Sequence, residues 1–244
     1  MSRGPGGVPV MPLTIDHYER TFGVFARVTW RTVRFAGLTT LYCLLLGYPL
    51  AFFISRRLHP RTRLILLFLV LLPFWTNFLV RTYALITILQ REGFLNGILE
   101  RLGLIQDPIQ FLFTPSAVIL GLVYGYLPFM VLPIYAAAER LDLRFVEAAY
   151  DLGANDWNAF WRVVFPLTLP GVIAGSMLVF IPAIGAFVTP DLMGGTKGLM
   201  IGNLVQSQFR GRGNIPLGSA VSMVLLVIVF IGVLVYTRFG NRED

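Results

Sequence analysis

One polar stretch between two strongly apolar ones has residue types and spacing that suggest a specific task, Glu147–Pro170, EAAYDLGANDWNAFWRVVFPLTLP. Its first residues are strong helix formers, and Gly153 permits a sharp backbone turn. Apolar bulk follows at Trp157, Phe160 and Trp161. Pro166 and Pro170 are predicted to separate this segment from the next apolar stretch. A short stiff helix, a turn and aromatic side chains are suited to binding a partner protein rather than to catalysis.

The alternative is that this segment is only a polar connector between helices. A connector of about 30 residues is long, and loops of that length are usually functional or disordered. The aromatic and Ala-rich content argues against disorder. We therefore interpret the segment as a docking surface.

Residues that could carry catalysis or hold a metal do not form a recognisable group. The chain has no GxxxxGK[ST] phosphate loop, and the Gly-rich turn 194–198 lacks that spacing. His17 and His59 lie far apart, and Cys43 is the only cysteine. No catalytic residue, metal site or cofactor is therefore expected in this chain, and it is not expected to be an enzyme.

The elements that must position the docking segment are membrane helices. Hydrophobic residues make up 56% of the 244, and charged residues only 14%, well below the roughly 25% of a soluble domain. The mean hydropathy is +0.71. A span needs about 20 apolar residues, and five segments qualify. They are Phe35–Ser55, Leu64–Val80 with an extension toward Leu89, Ser116–Ala138, Gly171–Pro190 and Leu217–Thr237.

Several residues inside these spans predict how the helices pack. Prolines interrupt the second, third and fourth spans at Pro73, Pro128, Pro133 and Pro182. Such breaks occur along transport pathways, but proline is also common in ordinary transmembrane bundles. Gly171, Gly175 and Ser176 place small residues on one face of the fourth span, which favours close helix packing, at a subunit interface among other places.

Arginines flank the apolar segments, and the net charge is +7. They are interpreted as anchors beside anionic membrane lipid, not as a nucleic-acid surface. Residues 1–34 are predicted to be a polar and amphipathic segment at the membrane surface, with Arg20, Arg27, Arg31 and Arg34 at helical spacing. Residues 35–244 then form the transmembrane domain. Arg81 is predicted to lie near the outer interface, where its long side chain reaches water.

Charge alone does not fix the orientation in the membrane. The run Arg56–Arg63, RRLHPRTR, is expected to be cytoplasmic by the positive-inside rule. The basic N-terminal region lies on the opposite side if the chain crosses five times. Basic residues are nearly balanced between alternate loops, so a second argument is needed.

The docking segment resembles the cytoplasmic coupling loop, or EAA motif, of permease subunits of bacterial ABC importers. That pattern is Glu-Ala-Ala, three residues, Gly, nine residues, Ile, one residue, Leu-Pro; here Val163 and Phe165 replace the Ile and Leu, and Pro166 fits. The resemblance implies a cytoplasmic loop at about 139–170 that docks on an ATPase, with Glu147 contacting a basic residue there. The coupling residues it implies are Glu147, Ala148, Ala149, Asp151, Gly153 and Ala154.

Further segments resemble the first permease subunit of spermidine/putrescine importers. They are Pro73–Asn77 with Arg81, Phe113–Val118, Val188–Gly195 and Met200–Gly202. The resemblance implies an all-α, multi-pass helix bundle of the importer permease fold in the bacterial inner membrane, with its C-terminus cytoplasmic. The family usually has one more helix ahead of Leu13–Asp16, so the natural start is expected upstream.

The resemblance also implies partners and a solute. Two ATP-binding subunits carry ATP and Mg, a second homologous permease completes the pathway, and an extracytoplasmic binding protein delivers the solute. Because polyamines are multiply cationic, carboxylates and aromatic faces are candidates for the pathway. These candidates are Trp75, Tyr83, Tyr124 and Asp191.

Three other functions remain as alternatives. The same machinery could carry another small solute, such as an iron chelate or a phosphonate. A stand-alone ion-coupled carrier predicts ionisable residues at mid-membrane, which the five spans lack. A membrane-embedded enzyme requires a catalytic cluster that is not evident in the sequence.

Overall fold

The structure of the protein is a computed structural model that describes residues 2–3, 9–10, 26–56, 59–210 and 214–240. Its helices are α1 (Ala26–Ser55), α2 (Pro60–Trp75), α3 (Phe78–Leu89), α4 (Phe94–Arg101), α5 (Pro115–Glu139), α6 (Arg144–Asp151), α7 (Asp156–Gly185), α8 (Val188–Met193), α9 (Ile201–Phe209) and α10 (Ile215–Gly240). A 3-10 turn covers Gly195–Lys197, and two short strands, Ser2–Arg3 and Pro9–Val10, pair antiparallel. The predicted all-α class is confirmed.

The number of membrane crossings agrees with the prediction. In the described part of the chain, α1, α5, α7 and α10 are long and apolar enough to span a membrane. The pair Pro60–Trp75 and Phe78–Arg101 gives a fifth crossing if it is one broken span. The predicted bounds of the third and fifth spans agree closely with α5 and α10.

The second span is not the single helix predicted over Leu64–Val80. The chain bends by 91° between α2 and the α3–α4 segment. Proline at position 73 removes one helical hydrogen bond, and the helix ends two residues later. The Thr76 hydroxyl then donates to the Pro73 carbonyl at 2.7 Å, and the Asn77 side chain caps α3 by accepting from the Leu79 amide at 2.9 Å. These local bonds satisfy the polar groups that the break frees.

The fourth span is longer at its start and shorter at its end than predicted. Helix α7 begins at Asp156 and continues through both Pro166 and Pro170, so the prediction that these prolines separate loop from span is wrong. The turn Phe160–Val164 is π-helical, with the Phe165 amide bonded to the Phe160 carbonyl. This register change accommodates a proline that has no amide hydrogen. The helix ends at Gly185, before the predicted Pro190.

The core lies where α1, α5 and α7 pack against one another. Its buried side chains include Cys43 and Ile54 of α1, Met130 of α5 and Val179 of α7. A methyl group added at Gly171 would lie 2.6 Å from the Pro133 carbonyl oxygen. The predicted close helix approach is therefore confirmed, but it occurs inside this chain, between α5 and α7.

The first span extends further toward the N-terminus than predicted. Helix α1 runs without interruption from Ala26, so no structural boundary separates residue 34 from residue 35. Arg27, Arg31 and Arg34 lie on its first turns, and Arg20 lies outside the described residues. The Thr32 hydroxyl accepts a hydrogen bond from the Ile201 amide at 2.8 Å, which joins this end of α1 to α9.

Candidate functional site

The predicted coupling residues form one short helix and the turn that ends it. Helix α6 contains Glu147, Ala148, Ala149 and Asp151, with Glu147 in its first turn. The Asp142 side chain accepts a hydrogen bond from the Arg144 amide at 3.0 Å, ahead of the first turn. Glu147, Ala148 and Asp151 are exposed, whereas Ala149 is half-buried. A single helix therefore contains four of the six predicted residues.

Gly153 ends this helix in a defined geometry. Its φ is +83°, a left-handed conformation that favours glycine. The Ala154 amide donates to the Ala149 carbonyl at 2.9 Å, and the Gly153 amide donates to the Tyr150 carbonyl at 2.8 Å. This pair of bonds is the Schellman arrangement, which satisfies carbonyls left over at a helix end. The spacing from Ala149 to Gly153 is thus the spacing that the motif requires.

The chain then turns directly into the membrane helix. The Asn155 side chain caps α7 by accepting from the Asn158 amide at 2.9 Å. The Asp156 carboxylate accepts a hydrogen bond from the Tyr150 hydroxyl and raises the pKa of that phenol. Only four residues separate α6 from α7, so a tight, doubly capped turn joins the short helix to the span.

Large apolar side chains are exposed on the helix–turn element that joins α6 to α7. Leu152 is 89% exposed and Trp157 is 69% exposed. The other large exposed apolar residues of this surface, here called the coupling surface, are Leu143, Phe145, Tyr150 and Trp161. Leu143, Phe145 and Leu152 were not singled out from the sequence, although apolar residues in a polar segment are the signal that identifies them. A cluster of this kind indicates a protein interface.

The aromatic residues behind the coupling surface connect it to the bundle. The Trp157 and Trp161 rings are 5.6 Å apart, and Trp161 lies 5.0 Å from Phe165. Phe160 points its ring edge-on at Tyr48 of α1, at 5.6 Å. Phe160 is thus half-buried packing, whereas Trp157 and Trp161 remain exposed. The sequence pattern alone did not distinguish Phe160 from the two tryptophans.

An ion pair places the basic run Arg56–Arg63 beside the same end of the bundle. Arg63 donates to Glu139 at 2.6 Å and to the Ser55 carbonyl at 3.2 Å. Glu139 is the last residue of α5, shortly before α6. Arg57 and Leu58 of this run lie outside the described residues. The run and the coupling element therefore lie on one side of the protein.

The four candidate pathway residues lie on four different helices. Trp75 is 80% exposed at the end of α2, and Tyr83 is exposed on α3. Tyr124 lies on α5, and Asp191 lines a separate cavity of about 370 Å³ together with Arg31 and Arg210. Of the three cavities described among residues that the structure covers, one is lined by Asp191 and none by Trp75, Tyr83 or Tyr124.

Arg81 does not lie where a straight helix would place it. The bend brings its guanidinium back to the Pro73 carbonyl, to which it donates at 3.0 Å. The same group lies 5.6 Å from the Phe78 ring and 5.8 Å from the Tyr124 ring. It also borders a cavity of about 330 Å³ between the break and α5. Arg81 thus helps to hold the broken span, and its position near the outer interface stays a prediction.

Metal-ligating side chains are not grouped in the described residues, where no three of His, Cys, Asp and Glu lie close enough to hold an ion.

Comparison with known proteins agrees with the family resemblance of the coupling segment. The model of the family described as "Binding-protein-dependent transport system inner membrane component" matches residues 45–243. The chain is 47% identical to the spermidine/putrescine transport system permease protein PotB of Haemophilus influenzae, over 98% of this chain and 83% of that protein. It is 33% identical to the inner membrane ABC transporter permease protein YdcU of Escherichia coli, over 86% of this chain and 70% of that protein.

Two solved structures share the fold. One is a bacterial ABC transporter involved in the import of alginate, with a TM-score of 0.74 and 20% identity over 96% of this chain and 85% of that chain. The other is the MetNI methionine ABC transporter, with a TM-score of 0.65 and 17% identity over 91% of this chain and 97% of that chain. The expected importer permease fold is confirmed, and this likeness concerns the fold alone.

Proposed function

Because the chain belongs to the family of binding-protein-dependent transport system inner membrane components, we propose that it is the permease subunit through which an ATP-driven importer takes up spermidine and putrescine. The proposal of spermidine and putrescine as the solute rests on the 47% identity to PotB, which extends over 98% of this chain. The chain is a transport component rather than an enzyme, and ATP hydrolysis belongs to a partner.

The coupling surface supports the way this subunit is driven. A short helix that exposes Glu147 and Asp151 beside large apolar side chains offers both charge and packing to a groove on an ATPase. The turn at Gly153 and the cap at Asn155 fix the angle between this helix and α7. When ATP draws two ATPases together, α6 moves and α7 tilts with it, which shifts the pathway between inward- and outward-facing states.

Orientation follows from the same proposal. The coupling element is cytoplasmic, and the run Arg56–Arg63 then obeys the positive-inside rule because Arg63 pairs with Glu139 on that side. Helix α10, the last described crossing, returns the chain to the cytoplasm. The partners are two ATP-binding subunits, a second homologous permease and an extracytoplasmic binding protein.

For the pathway we retain Trp75, Tyr83, Tyr124 and Asp191, with a specific geometric requirement. They lie on four different helices of one chain, and a second permease supplies the facing wall. Aromatic faces and a carboxylate can each hold an ammonium group in turn, which suits a multiply charged, elongated solute.

Uptake by the complete transporter in proteoliposomes tests the solute. We expect ATP-dependent accumulation of labelled spermidine that is inhibited by putrescine, and not by an iron chelate or a phosphonate. Uptake that persists without ATP would instead favour an ion-coupled carrier. Inhibition by a phosphonate or an iron chelate but not by putrescine would assign the machinery to another solute.

A further inference from the structure

An apolar groove lies on the outside of the bundle next to the π-helical turn. Its volume is about 590 Å³, within the roughly 300–1,000 Å³ of typical ligand sites. We call it the Arg56 groove, and its lining residues are Tyr48, Pro49, Phe52, Phe53, Arg56 and Phe160. Apart from Arg56, these residues present rings and aliphatic carbon. The Tyr48 hydroxyl is already bonded to the Thr168 hydroxyl at 2.8 Å.

The guanidinium of Arg56 is the polar group of this groove that remains unsatisfied. Its Nε and Nη2 atoms are buried, and neither has a hydrogen-bond partner among the residues that the structure describes. The guanidinium carbon lies 4.8 Å from the centre of the Phe52 ring, so one face is covered by an aromatic side chain. Cation–π contact offsets part of the lost hydration but provides no acceptor for two N–H groups.

The position of Arg56 along the membrane is equally informative. It follows directly after Ser55, the last residue of α1. Because α1 is long and apolar enough to span a membrane and ends at Ser55, Arg56 lies at the level of the lipid head groups in a bilayer. The rest of the groove follows α1 from Tyr48 to Phe53, about one and a half turns deeper into the apolar layer.

We propose that the Arg56 groove is a binding site for one anionic diacyl phospholipid. The lipid phosphate accepts hydrogen bonds from Nε and Nη2 of Arg56, a planar fork that matches phosphate oxygens. One acyl chain lies against Phe52, Phe53 and Phe160. The inference is independent of the transported solute, because it requires only that the chain lies in a bilayer.

Charge decides between lipid classes. None of the described residues that line the groove carries a carboxylate, so the ammonium of a zwitterionic head group would find no counter-charge from them. It would instead lie near the Arg56 cation. A phosphatidylglycerol head group has no such ammonium and leaves its phosphate charge available to Arg56. The site therefore selects anionic over zwitterionic phospholipid.

The site also lies where a lipid could affect coupling. Phe160 is both a wall of the groove and the first residue of the π-helical turn of α7. Tyr48 joins the groove to the same helix through Thr168. An occupied groove would stabilise the contact between α1 and the start of α7.

The test uses the complete purified transporter, depleted of lipid and titrated with phosphatidylglycerol, phosphatidylethanolamine or inorganic phosphate. A ligand that binds only the folded state raises the melting temperature. We expect phosphatidylglycerol to stabilise the wild type, while phosphatidylethanolamine and phosphate do not. In Arg56→Gln, the apparent affinity for phosphatidylglycerol should fall by at least about tenfold. The matched control is Arg140→Gln, an exposed arginine near the same end that lies outside the groove.

A second variant keeps the proposal testable if Arg56→Gln fails to fold. Phe53→Ala removes part of the acyl wall at a half-exposed position and should weaken binding severalfold while Arg56 is retained. Equal stabilisation of the wild type by both lipids, or unchanged affinity in Arg56→Gln or Phe53→Ala, would overturn the proposal. So would crosslinking of Phe53→Cys to a protein subunit instead of to a photoactivatable phosphatidylglycerol. The chain's own Cys43 is buried and does not compete.

Discussion

Replacing Gly153 tests whether the turn after α6 sets the geometry for ATPase docking. The residue has a φ of +83°, and an added Cβ would meet nothing within 4 Å. The cost of Gly153→Ala is therefore backbone strain without a steric clash, about 1–2 kcal/mol for a left-handed residue. If the strained turn relaxes, the Ala154–Ala149 bond is lost and α6 changes its angle to α7.

If the ATPase binds only the permease with the original turn, the cost of restoring that turn lowers the affinity for the ATPase. We expect the ATPase to bind the Gly153→Ala permease roughly 5- to 30-fold more weakly, since 1.4 kcal/mol corresponds to a factor of ten. Gly153→Asn should be intermediate because asparagine tolerates the left-handed region better, and Gly153→Val should be weakest. The assay is titration of purified ATPase onto permease in nanodiscs, followed by the ATPase rate stimulated by the loaded binding protein.

The chain contains a closely matched control at Gly103. This glycine has a φ of +68°, has nothing within 4 Å of its added Cβ, and ends α4 with the same pair of bonds. It lies in the connection after the broken span, away from the coupling surface. Gly103→Ala should cost the same strain and leave ATPase affinity unchanged. The reasoning is refuted if Gly153→Ala binds the ATPase within twofold of wild type, or if Gly103→Ala weakens binding equally.

Two further substitutions address docking and packing. Leu152→Ser should weaken ATPase binding with little change in melting temperature because Leu152 is 89% exposed, whereas Leu102→Ser, at the equivalent position after α4, should change neither quantity; equal effects on docking would contradict the assigned surface. Gly171→Ala should destabilise the protein by about 1–3 kcal/mol because its Cβ would lie 2.6 Å from a backbone oxygen, whereas Gly185→Ala has open space and should be neutral, as measured by thermal unfolding in detergent.

Much of this protein could be predicted from its sequence because the relevant signals are local. Long apolar runs must become helices in a bilayer, since no other structure satisfies the backbone of each segment by itself. The coupling motif is local too: the spacing from Ala149 to Gly153 is that of one helix end. Sequence reasoning therefore identified the crossings and the helix–turn unit, and the structure agrees on both.

The tertiary structure alone decided which prolines break a helix. Pro73 is followed by a 91° bend, whereas Pro166 and Pro170 are accommodated within α7. The outcome depends on how the backbone groups near each proline are hydrogen-bonded. At the first break the Arg81 guanidinium, from α3, donates to the Pro73 carbonyl. In α7 a π-helical turn accommodates the change of register. The positions of the prolines do not indicate either response, because each depends on how the folded chain is arranged around the break.

Distance along the sequence distinguishes the coupling site from the pathway and the Arg56 groove. The coupling residues are neighbours in sequence, so their types and spacing were sufficient to define the element. Trp75, Tyr83, Tyr124 and Asp191 lie on four different helices, so spacing in the sequence does not define how they are arranged. The Arg56 groove exists because α1 and the start of α7 pack at that level, and only the folded bundle places an aromatic-lined cation there with no acceptor among the described residues.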